Sequence, residues 1–386
     1  MTTQGRAAGN TVGGRAVRGG ASEAPDGATG GDHTPAGRTV SGLIDAGVRS
    51  LYPGYFALVM ATGIVSNAFF FLDHRALSDA LLVVNLIAYP LLVAATVARA
   101  LRHWRRLWAD LVDPRLVFSF FTIVAGTDVL GLQLALRGYN TIAIALWLVA
   151  LVAWVVLSYF SFSVLTFING ESGADVVHGG WLIAIVGTES LALLGGRIAS
   201  ELGSLEQLAF VTVYALWGIG IVLYGIFVTL FSYRLFFTRV EAADMNPLFW
   251  VIMGAAAIST NAGSTLIMTL PDLPFLLEMH AFVNGTTLIL WAWATWWIPL
   301  LVIFGVWRHV VCRHPLSYHP MYWSLVFPLG MYTLATYRLA LASDFTPLQG
   351  LARVMIWVAF AAWVGTMIGL LRGALRGLRS ARAPAG

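Results

Sequence analysis

The sequence predicts an all-α membrane protein of ten transmembrane helices, arranged as five hairpins in a quasi-fivefold ring around a central pore. Three observations carry this expectation. First, 58% of the 386 residues are hydrophobic and only 11% are charged. The mean hydropathy is +0.77, which places most of the chain in a bilayer. Second, ten apolar stretches are long enough to cross a hydrocarbon core of about 30 Å. Third, a small-residue string returns on every second stretch: MATGIVS at Met60–Ser66, AGTDVLG at Ala125–Gly131, VGTESLALLG at Val186–Gly195, ISTNAGS at Ile258–Ser264 and VFPLGMYT at Val326–Thr333. Lipid contact favours Leu or Ile, so small and hydroxyl residues inside a span either let helices pack closely or leave room for a hole.

The spans are expected at Pro53–Leu72, Ser78–Arg99, Leu116–Leu136, Thr141–Phe167, Gly180–Leu194, Leu208–Leu235, Pro247–Leu270, Phe275–Val306, Tyr322–Leu341 and Leu348–Leu371. The fifth is short. The eighth, about 48 Å at ~1.5 Å per residue, must tilt, kink near Pro299 or protrude. Residues 1–48 are Gly, Ala, Thr and Arg with scattered acids and read as a disordered cytoplasmic tail. They lack the apolar core of a signal peptide. Residues 49–372 form the membrane domain and 373–386 a basic cytoplasmic tail. The loop Leu101–Leu111 reads as a basic membrane anchor, with an interfacial helix as the alternative.

All 23 basic residues are Arg; 18 fall in the tails and the loops that follow even-numbered spans, against 5 on the other side. That asymmetry puts both termini in the cytoplasm of a cell-membrane protein, although the loop Asn169–His178 is locally acidic. The formal charge of +4 is no nucleic-acid signal, because the Arg residues border the spans. Cys312 is the sole cysteine, so no intrachain disulfide forms. Neither a phosphate-binding nor a dinucleotide fingerprint is present, so no nucleotide-driven pump and no cofactor are expected. His309, Cys312, His314 and His319 lack the disciplined spacing of a metal site.

Two-span repeats return the chain to the side it left, so the odd spans run parallel around an axis along the membrane normal. They are the natural pore lining, and the Leu-, Val-, Ile- and Trp-rich even spans the outer ring. Asp128 and Glu189 are the sharpest polar anomalies, each deep in an odd span in the aligned strings GTD and GTE. An acid at mid-membrane faces a cavity, pairs with a cation or stays protonated. They read as a proton-binding or substrate-selecting site, with pairing to Arg338 or hydrogen bonds between spans as the structural alternative. Arg338 could clamp a carboxylate at the outer mouth or snorkel; Arg197 carries the same ambiguity. Thr62, Thr127, Thr188, Ser259, Thr260, Asn261 and Thr333 offer neutral donors along the odd spans, though Ser and Thr also satisfy their own helix backbone. Gly63 and Gly330 belong to the same strings. Glu278 and His280 read as interfacial.

The strings PGYFALVMATGIVS at Pro53–Ser66, WATWWIPLL at Trp293–Leu301, and WSLVFPLG with ATYRLA across Trp323–Ala340 resemble the tellurite-resistance/dicarboxylate transporter family, which includes the plant slow anion channels and the fungal malic acid permease. The resemblance covers roughly residues 50–372. It implies a pore of five hairpins, usually in a homotrimer with one pore per protomer, and a Phe just before a Pro on the ninth span that plugs the pore. The matching residues are Phe327 and Pro328. A Pro favours a kink, and an aromatic ring in a narrow pore blocks ions by excluding water. The function implied is transport of small anions, C4-dicarboxylates foremost. Ionised acids would repel such substrates, so Asp128 and Glu189 tilt this reading toward proton linkage. An inorganic anion channel or a tellurite-related exporter is the alternative within transport; a membrane-embedded enzyme or sensor is the alternative outside it, and no clustered catalytic residues favour it.

Overall fold

The protein is described from a computed structural model that covers residues 40–168, 178–238, 241–242, 244–269 and 271–382. In order the helices are α1 (Val40–Arg49), α2 (Ala57–Phe71), α3 (Arg75–Arg102), α4 (Trp104–Leu111), α5 (Phe121–Ala135), α6 (Asn140–Ser163), α7 (Ile183–Ile198), α8 (Glu206–Phe237), α9 (Val251–Met268), α10 (Pro274–Glu278), α11 (His280–Val306), α12 (Trp323–Ala342) and α13 (Pro347–Arg382). No strand occurs among the described residues. Nine helical runs among them are long and apolar enough to cross a membrane. One run, Gly179–Phe237, has 59 residues, whereas about 20 suffice for a crossing. It is broken at Gly203, whose φ of 55° and ψ of −118° suit a residue without a Cβ.

Burial alternates along the chain. In the runs Pro53–Phe71, Val117–Ala135, Pro247–Met268 and Pro320–Ala342, between 72% and 94% of the most apolar stretch is buried; in Arg75–Arg102, Asn140–Ile168, His280–Val311 and Pro347–Gly377 only 11–22% is. The long run divides the same way: all of α7 but Arg197 is buried, while most of α8 is not. The inner helices are thus α2, α5, α7, α9 and α12. Each packs on the next, and α12 packs on α2, so the succession returns to its start. The outer helices α3, α6, α8, α11 and α13 each lie on the inner helix they follow or precede.

The local sequence explains this layering. Each inner helix is led in by a tight 3-10 turn: Pro53–Phe56, Val117–Phe120, Gly179–Leu182, Pro247–Trp250 and Pro320–Tyr322. Three of these open with a proline, whose missing N–H is no loss at a helix start. The small-residue strings serve close contact. A methyl group at Gly63 would overlap Val129 and Asn85, at Gly131 Leu194, at Gly254 Pro328, at Gly263 Thr287, and at Gly330 Ile64. Without a hydrophobic drive between helices in lipid, such approach is what holds a bundle together.

Polar clasps add to it in a repeating pattern. Each outer helix sends an aromatic polar tip to the inner helix of the following hairpin. Tyr89 Oη lies 3.0 Å from Thr127 Oγ1. The indole N–H of Trp154 donates to Thr188 Oγ1 at 2.8 Å, that of Trp217 to the Ser259 carbonyl at 3.1 Å, and that of Trp291 to Thr336 Oγ1 at 3.0 Å. Trp363 of α13 closes the series on Thr62 of α2 at 2.9 Å.

Several boundaries differ from expectation. Residues 40–49, of which 40–48 were expected in the disordered tail, form α1, whose Asp45 meets His103 at 3.0 Å; residues 1–39 lie outside the described residues. The basic C-terminal tail is helical to Arg382, continuous with α13. The over-long eighth span is divided into α10 and α11, with Pro299 inside α11. The loop Leu101–Leu111 folds into α4, which buries Leu107 and ties Asp110 to Arg99 at 2.6 Å.

Candidate functional site

Two cavities lie at opposite ends of the inner helices. The first, at their C-terminal ends, is about 20 Å³ and takes residues from all five: Phe71 of α2, Leu132 and Leu136 at the end of α5, Leu193 and Arg197 of α7, Asn261 and Thr265 of α9, and Leu334 and Arg338 of α12. That volume holds about one water. Arg338 donates to Thr265 Oγ1 at 3.1 Å and stacks over Phe71, 5.2 Å from the ring centre. Among the described residues neither Arg197 nor Arg338 has a carboxylate within salt-bridge distance. Two guanidiniums of like sign facing one small cavity leave it electropositive, suited to an oxyanion that accepts from both.

The second cavity, about 460 Å³, sits at the N-terminal ends. Tyr52, Leu116, His178, Asn246 with Leu248, and Met321 line it, one position from each inner helix's start, together with Arg115, Arg234, Glu241 and Asp244. Helix N-termini carry partial positive charge and favour anions. Two caps shape the rim: His178 Nδ1 accepts from Gly180 N–H at 2.9 Å, and Asn246 Oδ1 from Leu248 N–H at 2.9 Å. His178 Nδ1 therefore carries no proton, so Nε2 does and donates to the Arg115 carbonyl at 2.6 Å. Burial holds His178 below the ordinary histidine range, partly offset by that carbonyl.

Phe327 lies between the two cavities along α12. It is 2% exposed and sits seven residues before Leu334 and eleven before Arg338, on the same helix face. It is thus about 10 Å from the small cavity and six residues past Met321 of the large one. Pro328 is inside α12, which continues as one helix across it, and seats against Gly254.

The other residues singled out from the sequence divide into groups. Arg338 and Asn261 line the small cavity. Thr62, Thr127 and Thr188 do not come to it: their hydroxyls receive the aromatic clasps from α13, α3 and α6. Gly63 and Gly330 lie in helix contacts. Asp128 and Glu189 pair with neither arginine. Asp128 Oδ2 is 2.7 Å from Ser190 Oγ across the α5–α7 contact, and Glu189 Oε1 is 2.9 Å from Ser259 Oγ across the α7–α9 contact. Both contacts are hydrogen bonds between spans.

Sequence reasoning passed over Thr265 and Asn67. Asn67 is fully buried with neither amide atom partnered among the described residues, four residues before Phe71 and hence on its face of α2. Asn261 Oδ1 is unpartnered as well. Of the two, Asn261 lines the cavity, where an orphaned amide oxygen is the mark of a water-sized space. The signal was present: each Asn stands in or beside a small-residue string on an apolar helix.

Residues 50–371 match the family model described as voltage-dependent anion channel. This chain belongs to the voltage-dependent anion channel family. It is 39% identical over 138 residues to an uncharacterized membrane protein of Mycobacterium tuberculosis (strain H37Rv), covering 36% of this chain and 70% of that relative. An uncharacterized transporter of Methanocaldococcus jannaschii is 23% identical over 333 residues, covering 83% and 94%. A sulfite efflux pump of Trichophyton rubrum is 22% identical over 319 residues, covering 75% and 81%. With this family the chain is a multi-pass membrane protein of the anion-transporting kind, and the relatives' names point to a transporter rather than an enzyme.

Proposed function

We propose that this member of the family moves small anions along an axis enclosed by α2, α5, α7, α9 and α12. Reading the run Gly179–Phe237 as two crossings gives ten spans in five hairpins, in a quasi-fivefold ring. Phe327, fixed by Pro328, is the gate, and Arg197 with Arg338 hold the anion on one side of it. The observation that carries this reading is the small cavity: all five inner helices line it, and its two guanidiniums lack carboxylate partners among the described residues. The Arg distribution supports placing both termini in the cytoplasm of a cell-membrane protein, with the small cavity toward the outside and the large one inside.

The substrate is a small oxyanion. A cavity of about 20 Å³, room for about one water, must widen for any oxyanion and widens least for a compact ion of the sulfite kind, which the name of the fungal relatives suggests. A C4-dicarboxylate needs the inner helices to part. Flux from proteoliposomes loaded in turn with chloride, nitrate, sulfite, malate, succinate and tellurite, with and without a pH gradient, decides between these. Sulfite and nitrate moving faster than malate supports the compact-oxyanion reading; malate or succinate leading restores the dicarboxylate one; no anion moving sinks both.

A further inference from the structure

The two buried acids raise a question of hydrogen count. Ser190 Oγ is 2.7 Å from Asp128 Oδ2 and 2.8 Å from the Gly187 carbonyl oxygen. Ser259 Oγ is 2.9 Å from Glu189 Oε1 and 3.0 Å from the Ala255 carbonyl oxygen. A hydroxyl has one hydrogen. If the carboxyls were ionised, both neighbours of each serine would be acceptors, and one hydrogen would have to serve two contacts of ordinary length. The count closes when the acid carries the missing hydrogen: acid O–H donates to serine, and serine O–H donates to the carbonyl of its own helix.

The second oxygen of each acid agrees. Asp128 Oδ1 and Glu189 Oε2 are buried with no partner among the described residues. An ionised carboxylate seeks several donors, and burying one with at most half a donor is far costlier than leaving one carbonyl-type acceptor idle. No cation among the described residues compensates. Tyr89, the titratable group of α3 beside Asp128, spends its hydroxyl on Thr127. On α8, Gly220 abuts Glu189 and Tyr224 donates to the Ile252 carbonyl. Arg197 is eight residues up α7, about 12 Å away, in the small cavity.

We propose that Asp128 and Glu189 are proton-holding sites, kept as neutral acids that donate to Ser190 and Ser259, and that their neutrality leaves the guanidiniums of Arg197 and Arg338 as the formal charges at the narrow end of the anion route. The hydrogen-bonding half stands by itself; the half concerning the route rests on the proposed function. Loss of these protons at alkaline pH puts negative charge one helix contact from the axis and lowers anion flux.

Infrared spectroscopy of the protein in lipid tests the first half. At neutral pH, Asp128→Asn and Glu189→Gln should each remove one protonated-carboxyl C=O band, and Ser190→Ala and Ser259→Ala should shift those bands. Loss of carboxylate bands instead overturns the proposal. If an amide variant fails to fold, the serine variants distinguish the same two outcomes, by shifting either protonated-carboxyl or carboxylate bands. Flux against pH tests the second half. Wild-type flux should fall about tenfold as the medium is made alkaline, and the Asp128→Asn/Glu189→Gln double variant should not follow it. A fall in both or in neither overturns charge exclusion. If no anion moves at any pH, the proposed function fails while the infrared result keeps its meaning.

Discussion

The two ends of the inner helices use the same five elements to opposite effect. At the C-terminal ends, side chains from every helix close on about 20 Å³; Arg338 there meets a hydroxyl and an aromatic ring, and among the described residues no carboxylate reaches it or Arg197. At the N-terminal ends residues that lead into each helix line about 460 Å³, and Arg115 and Arg234 share the space with Glu241 and Asp244. A guanidinium beside carboxylates is largely spent on them, whereas one facing a cavity without them keeps its donors for a ligand. On the proposed function, the narrow end selects and the wide end collects. Phe327 lies between them on the face of α12 that also bears Leu334 and Arg338.

The sharpest way to break the comparison is to join the two spaces. Phe327→Ala should raise anion flux about tenfold or more, equivalent to removing ~1.4 kcal/mol from a barrier; unchanged flux in folded protein would show that the ring does not separate them. Next in size is Arg338→Gln. It removes a charged donor worth ~1.5–3 kcal/mol and should weaken oxyanion binding about tenfold, visible as a raised half-saturation concentration for flux. Arg234→Gln at the wide end should change that concentration by less than about threefold, because its charge is shared with Asp244.

Smaller effects sharpen the picture of the rim and the ring. His178 is favoured neutral by the fold, so its contribution is present above the ordinary histidine pKa of about 6.5 and is lost as pH falls below it. His178→Ala should cost about 1 kcal/mol of the cap at neutral pH and remove that part of the acid-side decline, measured as thermal melting against pH. Trp363→Phe removes one polar clasp and should cost about 0.5–1.5 kcal/mol. A melting temperature equal to wild type would show that the clasp from α13 to α2 adds nothing to closing the ring.

The fold was largely legible because lipid leaves few options. Apolar length marks a span, and a small-residue string marks the helix that meets others on several sides. The inner set α2, α5, α7, α9 and α12 follows from those strings alone. The functional side chains were less legible. Thr62, Thr127 and Thr188 have the composition of a pore lining, yet each takes an aromatic donor from an outer helix. Which side of a helix faces the axis depends on rotation about its own length, and a helix buried all round shows no apolar stripe from which to read that rotation. Arg338 was found because an arginine on an apolar span stands out; Asn67 was passed over although it stands beside a small-residue string, and Thr265 because its importance lies in which neighbours surround it.

By itself the sequence determined the membrane setting, the alternation of inner and outer helices and the aromatic ring before Pro328, since each is a matter of local composition and spacing. Only the tertiary structure decided that the acids of α5 and α7 meet serines rather than arginines, that three threonines serve as clasps, and that Arg197 and Arg338, 141 positions apart, share one cavity. Those outcomes turn on the rotation and height of each helix against its neighbours, which packing of the whole ring fixes and no single span encodes.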